Sequence, residues 1–148
     1  MTTLHNEIII DAPIGKIWNA LSTIDQLERF DPTVKKSKVL TAANSGVGAK
    51  RKVDMLDGKN WFEEKVTEFK PNEALAFELT ACSFPIHHLT HSYSFEPVGQ
   101  QIKVKQVMQY QVKFGFLGKI MDALMVRKQS DQGIKKFMNG LKSFTEKQ

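Results

Sequence analysis

The sequence predicts an α+β domain, a β-α-α-β6-α chain in which a curved antiparallel sheet wraps a long C-terminal helix. Three observations carry this prediction. Residues 4–30 read as one strand followed by two helices. Residues 34–113 break into six short extended runs divided by turn-forming residues. From residue 117 onward, apolar side chains recur at helical spacing.

The first strand is expected over Leu4–Ile10. Asp11-Ala12-Pro13 then opens a helix, because proline suits a first turn whose N–H groups have no partner. Ile14, Ile17, Trp18 and Leu21 form one buried face of that helix. A second helix is predicted from Asp25 to Phe30, stopped at Asp31-Pro32 because the residue before proline is pushed out of the helical region. Strands follow at Val34–Thr41, Ala49–Leu56, Asn60–Phe69, Ala74–Cys82, His87–Glu96 and Gln101–Lys113. Their joints are short and rich in Gly, Pro, Asn and Asp, so successive strands pair antiparallel. In the last segment Leu117, Ile120, Met121, Leu124 and Met125 read as an inward stripe continued by Ile134, Phe137, Met138, Leu141 and Phe144. Arg127–Gly133 interrupts it with polar residues, which predicts a kink or a wet face there.

Several pieces, in this order, resemble a known superfamily. Glu7-Ile8-Ile9-Ile10-Asp11-Ala12-Pro13 with Trp18 and Leu21, Gly46-Val47-Gly48 before a strand carrying Arg51, Phe116-Leu117-Gly118 opening the final helix and Leu141-Lys142 near its end are similar to the START-like (SRPBCC) proteins. The branch they resemble is that of polyketide cyclases/dehydrases and lipid transport. The resemblance implies a helix-grip fold over residues 1–148, with a deep cavity between sheet and final helix. Its members include aromatase/cyclases, lipid carriers, hormone receptors and chaperone co-activators, so the fold does not fix the function.

Size and composition agree with a single domain. The chain has 148 residues, 41% of them hydrophobic, and one cysteine, which excludes an internal disulfide. No apolar run approaches the ~20 residues of a spanning helix, and a cytoplasmic location is expected. The net charge of +5 is scattered along the chain, which argues against nucleic-acid binding. Gly46-Val47-Gly48 leads into a strand and is not followed by the Gly-Lys-Ser/Thr of a phosphate loop. His87, His88 and His91 make no compact metal set: on a strand, His87 and His91 lie about 13 Å apart and His88 points the other way. No catalytic residue, metal site or cofactor is assigned.

Strand alternation separates an inward face from an outward one. Arg51, Val53 and Met55, then Phe62, Glu64 and Val66, then Leu75, Phe77 and Leu79 face inward. So do Leu89, His91, Tyr93 and Phe95, and Ile102, Val104, Gln106, Met108, Tyr110 and Val112. The polar members of this set either satisfy one another, with Arg51 paired to Glu64, or place a few contacts in an otherwise apolar pocket. The candidate ligand-binding residues are Arg51, Glu64, Phe77, His91, Tyr93, Gln106, Tyr110, Leu117, Met121 and Leu124. Connections alternate between two ends of the sheet, and one end gathers Phe84, Pro85, Ile86, Phe114 and Phe116. Phe84, Phe114 and Phe116 are therefore expected at a cavity mouth, or as a satellite core sealing that end.

The function these features predict is binding of an apolar small molecule, a lipid or an aromatic, polyketide-like metabolite. The resemblance supplies two alternatives, a polyketide aromatase/cyclase or dehydrase and a co-activator-like interaction module.

Overall fold

The computed structural model describes residues 1–147. Seven strands form one antiparallel sheet in the order β1-β7-β6-β5-β4-β3-β2. They are β1 (Thr2–Ile10), β2 (Val34–Val39), β3 (Lys50–Met55), β4 (Trp61–Lys70), β5 (Ala74–Cys82), β6 (Ile86–Val98) and β7 (Gln101–Val112). The first strand crosses to pair with the last, Ile10 opposite Ile102 and Thr2 opposite Tyr110. The remaining neighbours are hairpin partners, as their short joints require. Between β3 and β4, Gly58 takes a positive φ of 75° and the Asp57 carboxylate accepts the backbone N–H groups of Lys59 and Asn60 at 2.8 and 2.9 Å. The turn is thus closed by its own aspartate.

Helix α1 (Ile14–Ser22) starts after Pro13 and buries Ile17, Trp18, Ala20 and Leu21. Trp18 packs edge-on against Phe69 and Phe95, at 5.1 and 5.9 Å between ring centres. These phenylalanines lie near the ends of β4 and β6 that lead into the polar connections, so α1 plugs that end of the sheet. Pairs of this geometry contribute about 0.5–1.5 kcal/mol beyond their buried area.

The second predicted helix is a single 3₁₀ turn, Leu27–Arg29. Its side chains and backbone bond to β2 instead of extending a helix: Leu27 N–H donates to Ser37 Oγ at 3.1 Å, and Ser37 Oγ donates to the Glu28 carboxylate at 2.5 Å. That tether, with Pro32 close behind, leaves room for one turn.

At the C-terminus α2 (Gly115–Met121), a π turn (Asp122–Val126) and α3 (Arg127–Glu146) run on without a break. Gly133 causes no interruption; the irregularity is the π turn that precedes the polar stretch. Ile134, Phe137, Met138, Leu141 and Thr145 are buried against the sheet. Glycines permit two close approaches of this helix. A Cβ at Gly118 would lie 1.9 Å from the Lys113 carbonyl oxygen, and one at Gly140 would lie 1.9 Å from that of Phe30. No helix among the described residues is long and apolar enough to cross a membrane.

Candidate functional site

Strand register brings the inward polar residues together. Arg51 lies opposite Glu64, Phe77 opposite His91, and Tyr93 opposite Gln106. The side chains then form one chain of contacts across four strands. Arg51 Nε and Nη2 donate to Glu64 Oε2 at 2.7 and 2.6 Å, and Arg51 Nη1 donates to the Ile24 carbonyl at 3.3 Å. His91 Nε2 meets Glu64 Oε1 at 2.7 Å, while His91 Nδ1 meets the Tyr93 hydroxyl at 3.0 Å. Gln106 Nε2 donates to that hydroxyl at 3.3 Å.

Burial by itself would raise the Glu64 carboxyl, which is 1% exposed; the Arg51 guanidinium and the His91 imidazole outweigh it and hold the group at about 2. Glu64 is therefore an anion at neutral pH. Burial pushes the Tyr93 hydroxyl above its ordinary range. Phe77 is buried between two members of the chain, stacked on the His91 ring at 4.8 Å with the Arg51 guanidinium 4.7 Å from its centre. It fixes their positions from behind.

Over this network lies a cavity of about 470 Å³ between sheet and helix. Arg51, Glu64, His91, Tyr93 and Gln106 contribute to its wall, with Asp31 and Thr33 from the segment before β2. Met55, Phe62, Leu79, Leu89 and Met108 supply the apolar sheet side, and Met121, Met125, Ile134 and Phe137 the helix side. Gln129, Ser130 and Gly133 also line it, so the polar interruption in the helix faces the void. A Cβ at Gly133 would meet no atom within 4 Å, which leaves the cavity open on that side. Among the described residues, one buried polar atom of the wall has no partner: Gln106 Oε1 accepts no hydrogen bond. Such an orphan acceptor costs about 1–3 kcal/mol.

The structure divides the other predicted ligand residues. Met121 faces the cavity, but Phe77 sits behind its wall. Tyr110 is buried beside a second, open groove of about 540 Å³ between α2 and the start of β1. There its hydroxyl donates to Asp122 Oδ1, and Thr2 Oγ1 donates to Asp122 Oδ2 at 2.6 Å. Burial and the Asp122 carboxylate push the Tyr110 hydroxyl up to about 12. Leu117 and Leu124 do not reach the cavity, being 67% and 73% exposed. The expectation of one continuous inward stripe is corrected here. The first stripe divides: Met121 and Met125 line the cavity with Ile134 and Phe137, whereas Leu117 and Leu124 face outward. Gly118 and Asp122 are the residues that α2 and the π turn bury.

At the expected mouth, Phe84 lines the cavity with Pro85 and Ile86, 6.5 Å from Phe62 between ring centres. Phe114 borders the second groove, and Phe116 projects outward. Asp31, Thr33 and Leu27 were not anticipated in the wall. Asp31-Pro32 reads in sequence as a helix stop, and the signal for a site residue there is only the carboxylate itself. Its Oδ1 accepts from the Thr33 N–H and hydroxyl at 2.9 and 2.7 Å, while burial raises the carboxyl.

Residues 1–144 match the family described as polyketide cyclase/dehydrase and lipid transport. No functionally curated protein matches the sequence. Among solved structures, TTHA0849 from Thermus thermophilus aligns with a TM-score of 0.79 and 16% identity, over 96% of this chain and 95% of that one. A START superfamily protein from Mycobacterium smegmatis aligns with a TM-score of 0.79 and 15% identity, over 97% of both chains. The di-domain ARO/CYC BexL from the BE-7585A biosynthetic pathway aligns with a TM-score of 0.77 and 14% identity, over 97% of this chain and 46% of that one. Identities this low show a shared START-like, helix-grip fold.

Proposed function

The chain belongs to the polyketide cyclase/dehydrase and lipid transport family, and from that premise we propose that it binds an apolar small molecule between sheet and C-terminal helix. The ligand is a lipid or an aromatic, polyketide-like metabolite. The observation that carries this reading is the void itself. Protein interiors pack with few gaps larger than a water molecule, whereas this cavity of about 470 Å³ is walled by Met55, Phe62, Leu79, Leu89, Met108 and Phe137. Small-molecule sites are apolar concavities of about 300–1,000 Å³ with a few placed polar groups. Phe84, Pro85 and Ile86 on one side and Met121 and Met125 on the other line it where a ligand would pass.

Native mass spectrometry of the purified protein, followed by titration with a panel of lipids and polycyclic aromatics, tests the proposal. The expected result is one bound molecule per chain. No adduct and no binding across the panel would overturn it.

One observation favours a second reading, that of a cyclase or dehydrase. Glu64 orients the His91 imidazole, which in turn meets a tyrosine hydroxyl, and such chains support acid–base catalysis. The same geometry weighs against it, because Tyr93 bonds to the imidazole and burial makes its hydroxyl a weaker acid. Turnover of a polyketide-like substrate that disappears in a folded His91→Phe variant would favour the enzyme; unchanged turnover would remove His91 from the chemistry.

A further inference from the structure

The unpartnered oxygen of Gln106 follows from the polarity of the whole chain, beginning at Glu64. An ionised carboxylate only accepts hydrogen bonds, so the His91 nitrogen facing it, Nε2, carries a proton. The other imidazole nitrogen, Nδ1, faces the Tyr93 hydroxyl, whose oxygen accepts from Gln106 and whose proton is therefore left for Nδ1. Tyr93 has a single proton, so its oxygen is left to accept, and the neighbour that donates to it is the Gln106 amide nitrogen. This sequence of donors orients the Gln106 side chain and turns Oε1 away, buried and without a partner, in a residue of the cavity wall.

The strongest hydrogen bonds of the wall are meanwhile made within it. Arg51 serves Glu64 and the Ile24 carbonyl, and Thr33 serves Asp31. Asp31 adds a further acceptor, because both of its hydrogen bonds fall on Oδ1. The polar part of the cavity therefore holds two acceptor oxygens without a donor, Gln106 Oε1 and Asp31 Oδ2. A ligand carboxylate or phosphate would bring negative charge beside the Asp31 carboxylate and leave Gln106 Oε1 without a donor.

We propose that the ligand is a neutral apolar molecule bearing a hydroxyl group, an alcohol or a phenol, whose O–H donates to Gln106 Oε1. This rests on the reading of the cavity as a ligand site and narrows it to one chemical class. Fatty-acid anions and acyl phosphates are disfavoured occupants.

Three probes with the same apolar body separate the two claims: naphthalene, 1-naphthol and 1-naphthoate, titrated calorimetrically at neutral pH against the wild-type protein and Gln106→Leu. The wild type is expected to bind 1-naphthol about ten-fold more tightly than naphthalene, the worth of one buried hydrogen bond, and 1-naphthoate more weakly than either. Gln106→Leu is expected to bind 1-naphthol and naphthalene equally. Gln106→Met repeats the test should the leucine variant misfold. Binding of naphthalene with no preference for 1-naphthol, a preference that survives both substitutions, or 1-naphthoate binding as tightly as 1-naphthol overturns the hydroxyl assignment and leaves the cavity reading standing. Failure of all three probes to bind overturns both.

Discussion

Replacing Arg51 by methionine removes the charge that keeps Glu64 ionised in the interior. The drop of the Glu64 carboxyl from 4.5 to about 2, at about 1.4 kcal/mol per pH unit, corresponds to roughly 3 kcal/mol of stability at neutral pH. Removing one partner of a buried ion pair costs about 3–5 kcal/mol by analogy with other proteins, so Arg51→Met is expected to lose about that much. The dependence on pH supplies a sharper sign. In the wild type the Glu64 contribution is fully present above pH 4.5 and is lost as the pH falls toward about 2. In Arg51→Met, burial dominates and the Glu64 carboxyl rises above its ordinary value, so stability should fall as the pH rises beyond 4.5. Urea denaturation across this range reads both slopes. A loss below about 1 kcal/mol, or slopes of the same sign in the two proteins, would refute the description of Glu64 as an anion held by Arg51.

Other consequences concern packing and the tyrosines. Gly140→Ala would press a methyl group into the Phe30 carbonyl oxygen and is expected to destabilise by about 1–3 kcal/mol. Gly133→Ala, with open space around it, should gain up to about 1 kcal/mol; thermal melts of the two variants should therefore shift in opposite directions. Leu117→Ser and Leu124→Ser should change stability by no more than about 0.5 kcal/mol, whereas Leu141→Ala, at a fully buried position, should lose about 2–5 kcal/mol; chemical denaturation separates them. The chain has two tyrosines, and both hydroxyls are raised above 10. An ultraviolet titration should therefore show no tyrosinate near pH 10, with absorbance growing toward about 12 or on unfolding.

Much of the fold was legible because a strand's side chains alternate. The period-2 rule placed Arg51, Glu64, His91, Tyr93 and Gln106 on one face, and all five are buried there. Their register could not be read locally, since it depends on how neighbouring strands pair. Pairing decides that Phe77 lies behind His91 and that Tyr110 reaches Asp122. The helix misled for another reason. Apolar spacing defines a face but not its direction, and Leu117 and Leu124 belong to a face different from that of Ile134 and Leu141. The polar stretch at Gln129–Gly133, by contrast, was informative, for it faces the cavity. Asp31 escaped notice because its role depends on a contact between distant segments.

Filling the void from a position that disturbs nothing else tests the central claim most directly. Gly133 lines the cavity, and a Cβ added to it would have no atom within 4 Å, so Gly133→Leu adds side-chain bulk to the ligand's space while the helix is preserved. Calorimetric titration with 1-naphthol, alongside circular dichroism to verify the fold, should show one site per chain in the wild type and none in Gly133→Leu. Equal binding by both folded proteins, or no binding by the wild type, would contradict the cavity as the working part of this molecule.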